Sequence, residues 1–218
     1  MRVQIVKKDI KHIRLKVRPD GEVVLTVPPD CSEGEIAHVL RKREEWIAQK
    51  IAFFKSHTPL VAREYVSGEN CPYLGRNYRL KVIESLEEGV KLQRGYVQLF
   101  VREREDFERK KRLLKAWFRQ KAQIHFGKAL AVYTPLVGVE PRTVTIREMK
   151  SRWGSCNPAK GTISLNLRLI EKPSACIEYV VLHELAHLIH PGHDRKFYSF
   201  LDLHMPDWRR RKRKLEAG

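Results

Sequence analysis

The segment from Tyr179 to His193 constrains this chain more than any other. It reads Tyr-Val-Val-Leu-His-Glu-Leu-Ala-His-Leu-Ile-His-Pro-Gly-His. Ile177, Val180, Val181, Leu182, Leu185, Ala186, Leu188 and Ile189 make it apolar nearly all the way round, and a helix of that kind is buried. Imidazoles and a carboxylate on a buried helix must be paired or bound to something. His183 and His187, four residues apart, share one face about 6 Å apart along the axis, so both rings can reach one cation. Glu184 is turned about 100° from that face, where it suits a water on the cation better than the cation itself. This is the HExxH zinc signature.

Two histidines leave a catalytic zinc one protein ligand short. Were the helix to continue, His190 would lie about 10.5 Å along the axis from His183, too far for one ion to be shared at about 2 Å from each ring. Pro191 disfavours helical geometry at His190, and Gly192 permits positive φ, so the chain turns there. The turn can bring His193 onto the metal from a new direction; an acidic ligand from elsewhere is the alternative. His190 is then a pocket residue or a support for the ligands.

The surrounding chain reads as α+β. Ile13, Leu15 and Val17 alternate with polar residues, Pro19-Asp20-Gly21 turns, and Val23–Val27 returns, so residues 3–27 form a hairpin. Ser32 with Glu35 is a capping box, and Ile36, Leu40, Ile47, Ile51 and Phe54 predict a helix over about 33–55. Short strands are expected at 78–84, 90–93 and 96–101. A charged helix over about 104–133 follows, with Leu113, Leu114, Trp117 and Phe118 as its apolar stripe. Its Arg112, Lys115 and Arg119 face is read as solvated. Thr143–Met149 and Gly161–Leu169 alternate as strands. The Ser151–Pro158 segment between them reads as a loop, and Ser174 as the N-cap of the next helix. These readings divide the chain into a β-rich N-terminal region with one helix (1–101), a core (102–208) and a basic tail (209–218), although a break near 55–70 is also compatible.

Charge adds a partner class. Residues 1–100 carry 18 Lys and Arg against 13 Asp and Glu, whereas residues 101–218 carry 25 against 13. Half of that second excess is the run Arg209, Arg210, Arg211, Lys212, Arg213, Lys214. Such a run attracts polyanions through counterion release. The longest stretch without Asp, Glu, Lys or Arg is Ala129–Val139, well short of the roughly 20 apolar residues of a membrane span. Residues 1–18 lack the apolar core of a secretory signal. The four cysteines form no CxxC pair, and a reducing cytoplasm is expected.

Several segments together carry a resemblance: SRWGSC (151–156), SLNLRLI (164–170), IEYVVLHELAHL (177–188), GHDRKF (192–197) and MPDW (205–208). They resemble the YgjP-like metallopeptidase family, related to the SprT-like and Wss1-like zinc peptidases. The resemblance is dense over about 140–208 and compatible with most of the chain. It implies a minimal zincin-like domain, in which a small twisted, mostly antiparallel sheet packs on the HExxH helix. An edge strand, expected within 143–149 or 161–169, lines the cleft. It also implies that His183, His187 and His193 ligate Zn2+, that Glu184 is the catalytic base, and that Met205 lies where some zincins place a methionine under the metal.

The function expected is a zinc-dependent metallopeptidase that hydrolyses protein or peptide substrates by a zinc-activated water with Glu184 as general base. The resemblance also implies an alternative, a metal-dependent nucleoside triphosphate (UTP) pyrophosphatase, although no glycine-rich phosphate cradle is visible. Another is a DNA-binding module with gated proteolysis that uses Arg209–Lys214. Arg152 and Arg168 are candidates for a substrate carboxylate or phosphate, and Tyr198 and His204 for an oxyanion. Trp153 is read as packing over the site, and Cys156 as a structural thiol.

Overall fold

The computed structural model describes residues 3–18, 20–56, 63–149 and 152–217. Pro19 and Ser151, singled out above, lie outside them, as does the side chain of Phe54. The chain divides into two compact units, one of Met1–Ala62 with Glu216–Gly218 and one of Arg63–Leu215.

In the N-terminal unit, β1 (Val3–Lys7), β2 (Arg14–Val17) and β3 (Val23–Val27) form a sheet in the order β1-β3-β2. The hairpin is β2–β3, turned at Gly21, whose φ of 83° suits a residue without Cβ. β1 adds in parallel on the other side of β3. The single helix expected over 33–55 is two, α1 (Glu33–Lys42) and α2 (Glu44–Ser56), broken at Arg43. The Ser32–Glu35 capping box opens α1 as expected. The break accompanies two separate packing clusters: Ile36 joins Leu25 and Val27, whereas Ile47 joins Val17 and Val23.

The second unit opens with β4 (Asn70–Tyr73), β5 (Arg76–Glu84), β6 (Gly89–Gln93) and β7 (Tyr96–Val101), in the order β4-β5-β7-β6. These strands, expected with the N-terminal region, share one core with the long helix α3 (Phe107–Val137) instead. Cys71, Leu80, Val82, Val97, Leu99 and Val101 bury against Leu114, Trp117 and Phe118. The two compact units divide near residue 62, within the 55–70 break also considered from sequence. Lys115 pairs with Glu148, and Arg119 donates to the Ile146 carbonyl at 3.2 Å, so part of the basic face of α3 has protein partners.

A three-stranded mixed sheet follows, made of β8 (Thr143–Arg147), β9 (Gly154–Asn157) and β10 (Thr162–Asn166), with β10 central. β10 runs parallel to β8 and antiparallel to β9. The segment read as a loop thus contains a four-residue strand, too short to show alternation. The strand expected to run to Leu169 stops at Asn166, whose side chain accepts from the Arg168 N–H at 3.1 Å and caps a 3-10 turn over Leu167–Glu171. Three helices complete the unit: α4 (Ser174–Ala186), α5 (Arg195–His204) and α6 (Trp208–Ala217). The cap of α4 is the extended Pro173, not Ser174, which is already helical. Gly75 packs so tightly on Pro173 that a Cβ would meet its Cγ at 2.5 Å, which docks the β4–β5 turn beside the start of α4.

The run 209–214 is not a tail. In α6, Trp208 and Leu215 are buried seven residues apart, and Arg211 lies on the same stripe with a mostly buried side chain. Arg209 pairs with Asp202, Arg210 with Asp207, and Arg211 with Asp207 and Glu178. No helix among the described residues is long and apolar enough to cross a membrane.

Candidate active site

Every α4 residue from Cys176 to Ala186 except Glu178 and His183 is buried, as the apolar pattern required. The helix ends one residue before His187, and the His190 N–H closes the last turn onto the Ala186 carbonyl at 2.8 Å. The chain then reverses through Pro191 and Gly192 into α5. Asp194 caps α5 by accepting from the Phe197 N–H at 2.9 Å, and this places His193 immediately before the new helix.

His183, His187 and His193 converge, with one candidate ligand atom from each lying within 4.8 Å of the others. The Nε2 atoms of His183 and His193 are 3.2 Å apart. Two ligands of a tetrahedral zinc with bonds of about 2.0–2.1 Å stand about 3.3 Å apart, so this spacing fits a metal edge. His187 Nδ1 donates to the His190 carbonyl at 3.1 Å, which leaves its Nε2 lone pair for a metal. His190 thus supports the site through its backbone, while its ring faces Phe200. His183 Nδ1 is buried without a hydrogen-bond partner. Burial first, and then the neighbouring imidazoles, push the His183 pKa down to about 3. Burial also lowers His187. Both rings are therefore neutral at ordinary pH, the form that ligates a metal.

Phe197, fully buried, packs against all three rings with centroid distances of 5.0, 4.7 and 4.8 Å. It forms the apolar floor of the triad. Met205 is buried at the C-cap of α5. The sequence signal for Phe197 was slight, one aromatic among several on α5.

Glu184 is 5% exposed, and burial raises its pKa to about 7 against a weaker opposing pull from Arg152. β9 passes so close to Glu184 that a Cβ on Gly154 would stand 2.5 Å from its Oε1 and 2.6 Å from its Cγ. Only glycine admits that approach. The strand that lies against Glu184 is therefore β9, an edge of the β8-β10-β9 sheet. Asn166, 4% exposed, holds the chain leading into β9: its side-chain amide donates to the Met149 and Arg152 carbonyls at 2.8 and 2.7 Å. Its backbone N–H reaches the Trp153 carbonyl at 2.9 Å. Neither Gly154 nor Asn166 was singled out from sequence. An interior glycine beside a tryptophan was the one available signal, and the apparent loop composition hid it.

The remaining expectations divide. Tyr198 stacks on His193 at 6.3 Å and on Trp208 at 5.5 Å, so its ring stands beside the triad. His204 packs on Phe200 at 4.3 Å, and no contact of its ring with the triad is seen. Trp153 packs against the main core, with the Lys172 ammonium over its ring at 5.3 Å. Arg152 is exposed, and its charge acts on Glu184. Arg168 lies near Glu171. The Cys156 thiol is pushed up to about 11 by burial and then by Glu184, which makes it a poor nucleophile.

Among curated proteins none matches the chain. Among solved structures, the crystal structure of the metallopeptidase zymogen of Pyrococcus abyssi abylysin is similar. It is 21% identical over 41% of this chain and 90% of that one, with a TM-score of 0.39. The YgjP-like metallopeptidase domain matches residues 11–217. With nearly its whole length matched and its histidines converged beside a buried glutamate, the chain belongs to the YgjP-like metallopeptidase family.

Proposed function

We propose that this metallopeptidase is a zinc enzyme in which Glu184 is the general base for peptide-bond hydrolysis. The observation that carries the reading is the convergence of three imidazoles on one point, next to a carboxyl group held by burial near neutral pKa. His183, His187 and His193 would hold the metal, since three imidazole nitrogens with no carboxylate suit zinc better than Mg2+ or Ca2+. Bound zinc would supply Lewis-acid polarisation of a carbonyl and a lowered pKa for a water.

The chain's own groups supply the rest. Glu184 takes the proton from the attacking water and returns it to the leaving amine, a task suited to a carboxyl whose pKa lies near the working pH. Gly154 leaves space for that carboxyl, and Phe197 excludes water from beneath the histidines. Tyr198, beside His193, is the better placed of the two groups considered for the oxyanion. Four free cysteines suit a reducing, cytoplasmic setting.

The test combines metal analysis with mass-spectrometric cleavage of an unstructured protein. Glu184→Gln should keep its zinc and lose turnover by about 10²–10⁴-fold, whereas His193→Ala should lose zinc. Parent-like cleavage by Glu184→Gln would overturn the base assignment. Zinc retained with no cleavage by the parent would shift the reading to nucleotide hydrolysis, with UTP as the next substrate.

A further inference from the structure

The four-stranded sheet buries one face against α3 and leaves the other open. Strand alternation puts Leu80, Val82, Val97 and Leu99 on the buried side, and the pairing registers then assign the open side. One row across β5, β7 and β6 reads Lys81, Gln98, Lys91, and the next reads Arg79, Tyr96, Gln93. Phe100 lies two residues beyond Gln98 on β7.

Three properties of this face stand out. First, β7 is a central strand and presents Tyr96, 45% exposed, and Phe100, half-buried, about 13 Å apart along the strand. Second, cations flank both rings, and the Lys91 ammonium already lies over Phe100 at 5.6 Å. Arg79 donates one bond to the Gly68 carbonyl at 2.7 Å. Neither Lys81 nor Lys91 has a carboxylate partner among the described residues. Third, no position on this face is acidic: the alternating residues of β4, β5, β6 and β7 are Asn, Pro, Arg, Lys, Ile, Gly, Gln, Tyr or Phe. The nearby Glu88 is taken by Arg109, and Glu69 by the Tyr65 and Val66 N–H groups.

Exposed aromatics on a central strand, flanked by cations and free of acid, match the requirements of unpaired bases on a negative backbone. Each base offers a π-face for stacking, and the phosphates meet the cations. A duplex hides its base faces and would satisfy the charges alone. We propose that this sheet face binds single-stranded nucleic acid, with bases on Tyr96 and Phe100 and the backbone along Arg79, Lys81 and Lys91. The α6 run does not carry this proposal, because its arginines pair with Asp202, Asp207 and Glu178. Nor does the peptidase reading, which concerns a different set of residues.

Fluorescence anisotropy on the full chain tests it, with labelled oligothymidylate and oligouridylate as probes and a duplex and polyglutamate as competitors. Both single strands should bind, the tighter one identifying the natural source, and both competitors should be at least about tenfold weaker. Tyr96→Ala should weaken binding about 5- to 150-fold, the range for loss of one stacking platform. Lys81→Gln with Lys91→Gln should lower the log–log salt slope by about 1.4, for two phosphate contacts on a single strand. Gln98→Glu, which places a carboxylate at the centre of the face, should weaken binding without altering the melting temperature. Parent-like affinity in both Tyr96→Ala and Gln98→Glu, or equal competition by duplex or polyglutamate, would overturn the proposal.

Discussion

Two small sheets in this molecule share one pairing pattern. In β1-β3-β2 and in β8-β10-β9 alike, the central strand runs parallel to one neighbour and antiparallel to the other. They differ in what packs on them. The first buries aliphatic residues against α1 and α2 and has no buried ionisable group. The second presents Gly154 to Glu184 and fixes the approach to that strand through Asn166. Equivalent strand pairing can therefore serve as plain scaffold or as one wall of the candidate site. The difference lies in one missing Cβ and one satisfied buried amide.

That contrast can be broken or sharpened by substitution. The largest effect expected is on the scaffold sheet. Leu25→Ala removes a fully buried side chain and should cost about 2–5 kcal/mol, read by denaturant unfolding. Its zinc content should match that of the parent, and a parallel loss of zinc would show that the first sheet also supports the site. Gly154→Ala should reduce turnover about a hundredfold, because the Glu184 carboxyl must move by a substantial fraction of an ångström. Unchanged turnover would mean that the approach of β9 does not position the glutamate. Asn166→Ala leaves the Met149 and Arg152 carbonyls without their donor and should cost about 1–3 kcal/mol in stability, with a matching fall in turnover. Stability lost without any change in turnover would make Asn166 a scaffold residue like those of the first sheet. The smallest effect belongs to Arg211→Ala. It breaks pairs with Asp207 and Glu178 whose carboxylates remain partly exposed, and should cost about 1 kcal/mol or less in a thermal melt.

The site was more legible in the sequence than the fold around it. His183, Glu184 and His187 lie on one turn and a half of helix, so their relation follows from helix geometry alone. Pro191-Gly192 announced the reversal that brings His193 back. The capping box at Ser32 and the strands of the β5–β7 region were equally local signals. What failed were readings that depend on distant packing. The break at Arg43 follows from two clusters on the sheet beneath it. Strand β9 was hidden because a four-residue strand in a Ser-Gly-Asn-Pro setting shows no period. The basic run looked like a solvated tail because charge dominates its composition, although Trp208, Arg211 and Leu215 repeat at helical spacing.

The sequence by itself determined the buried helix, its two histidines and glutamate, and the turn that supplies a third imidazole, since each is set by neighbours within about ten residues. Only the tertiary structure decided that Gly154 lies against Glu184, that Asn166 ties Met149, Arg152 and Trp153 to β10, and that Phe197 lines the underside of the triad. Those contacts join residues that no local periodicity links, and they exist because one closely packed core leaves room for a single arrangement of its parts.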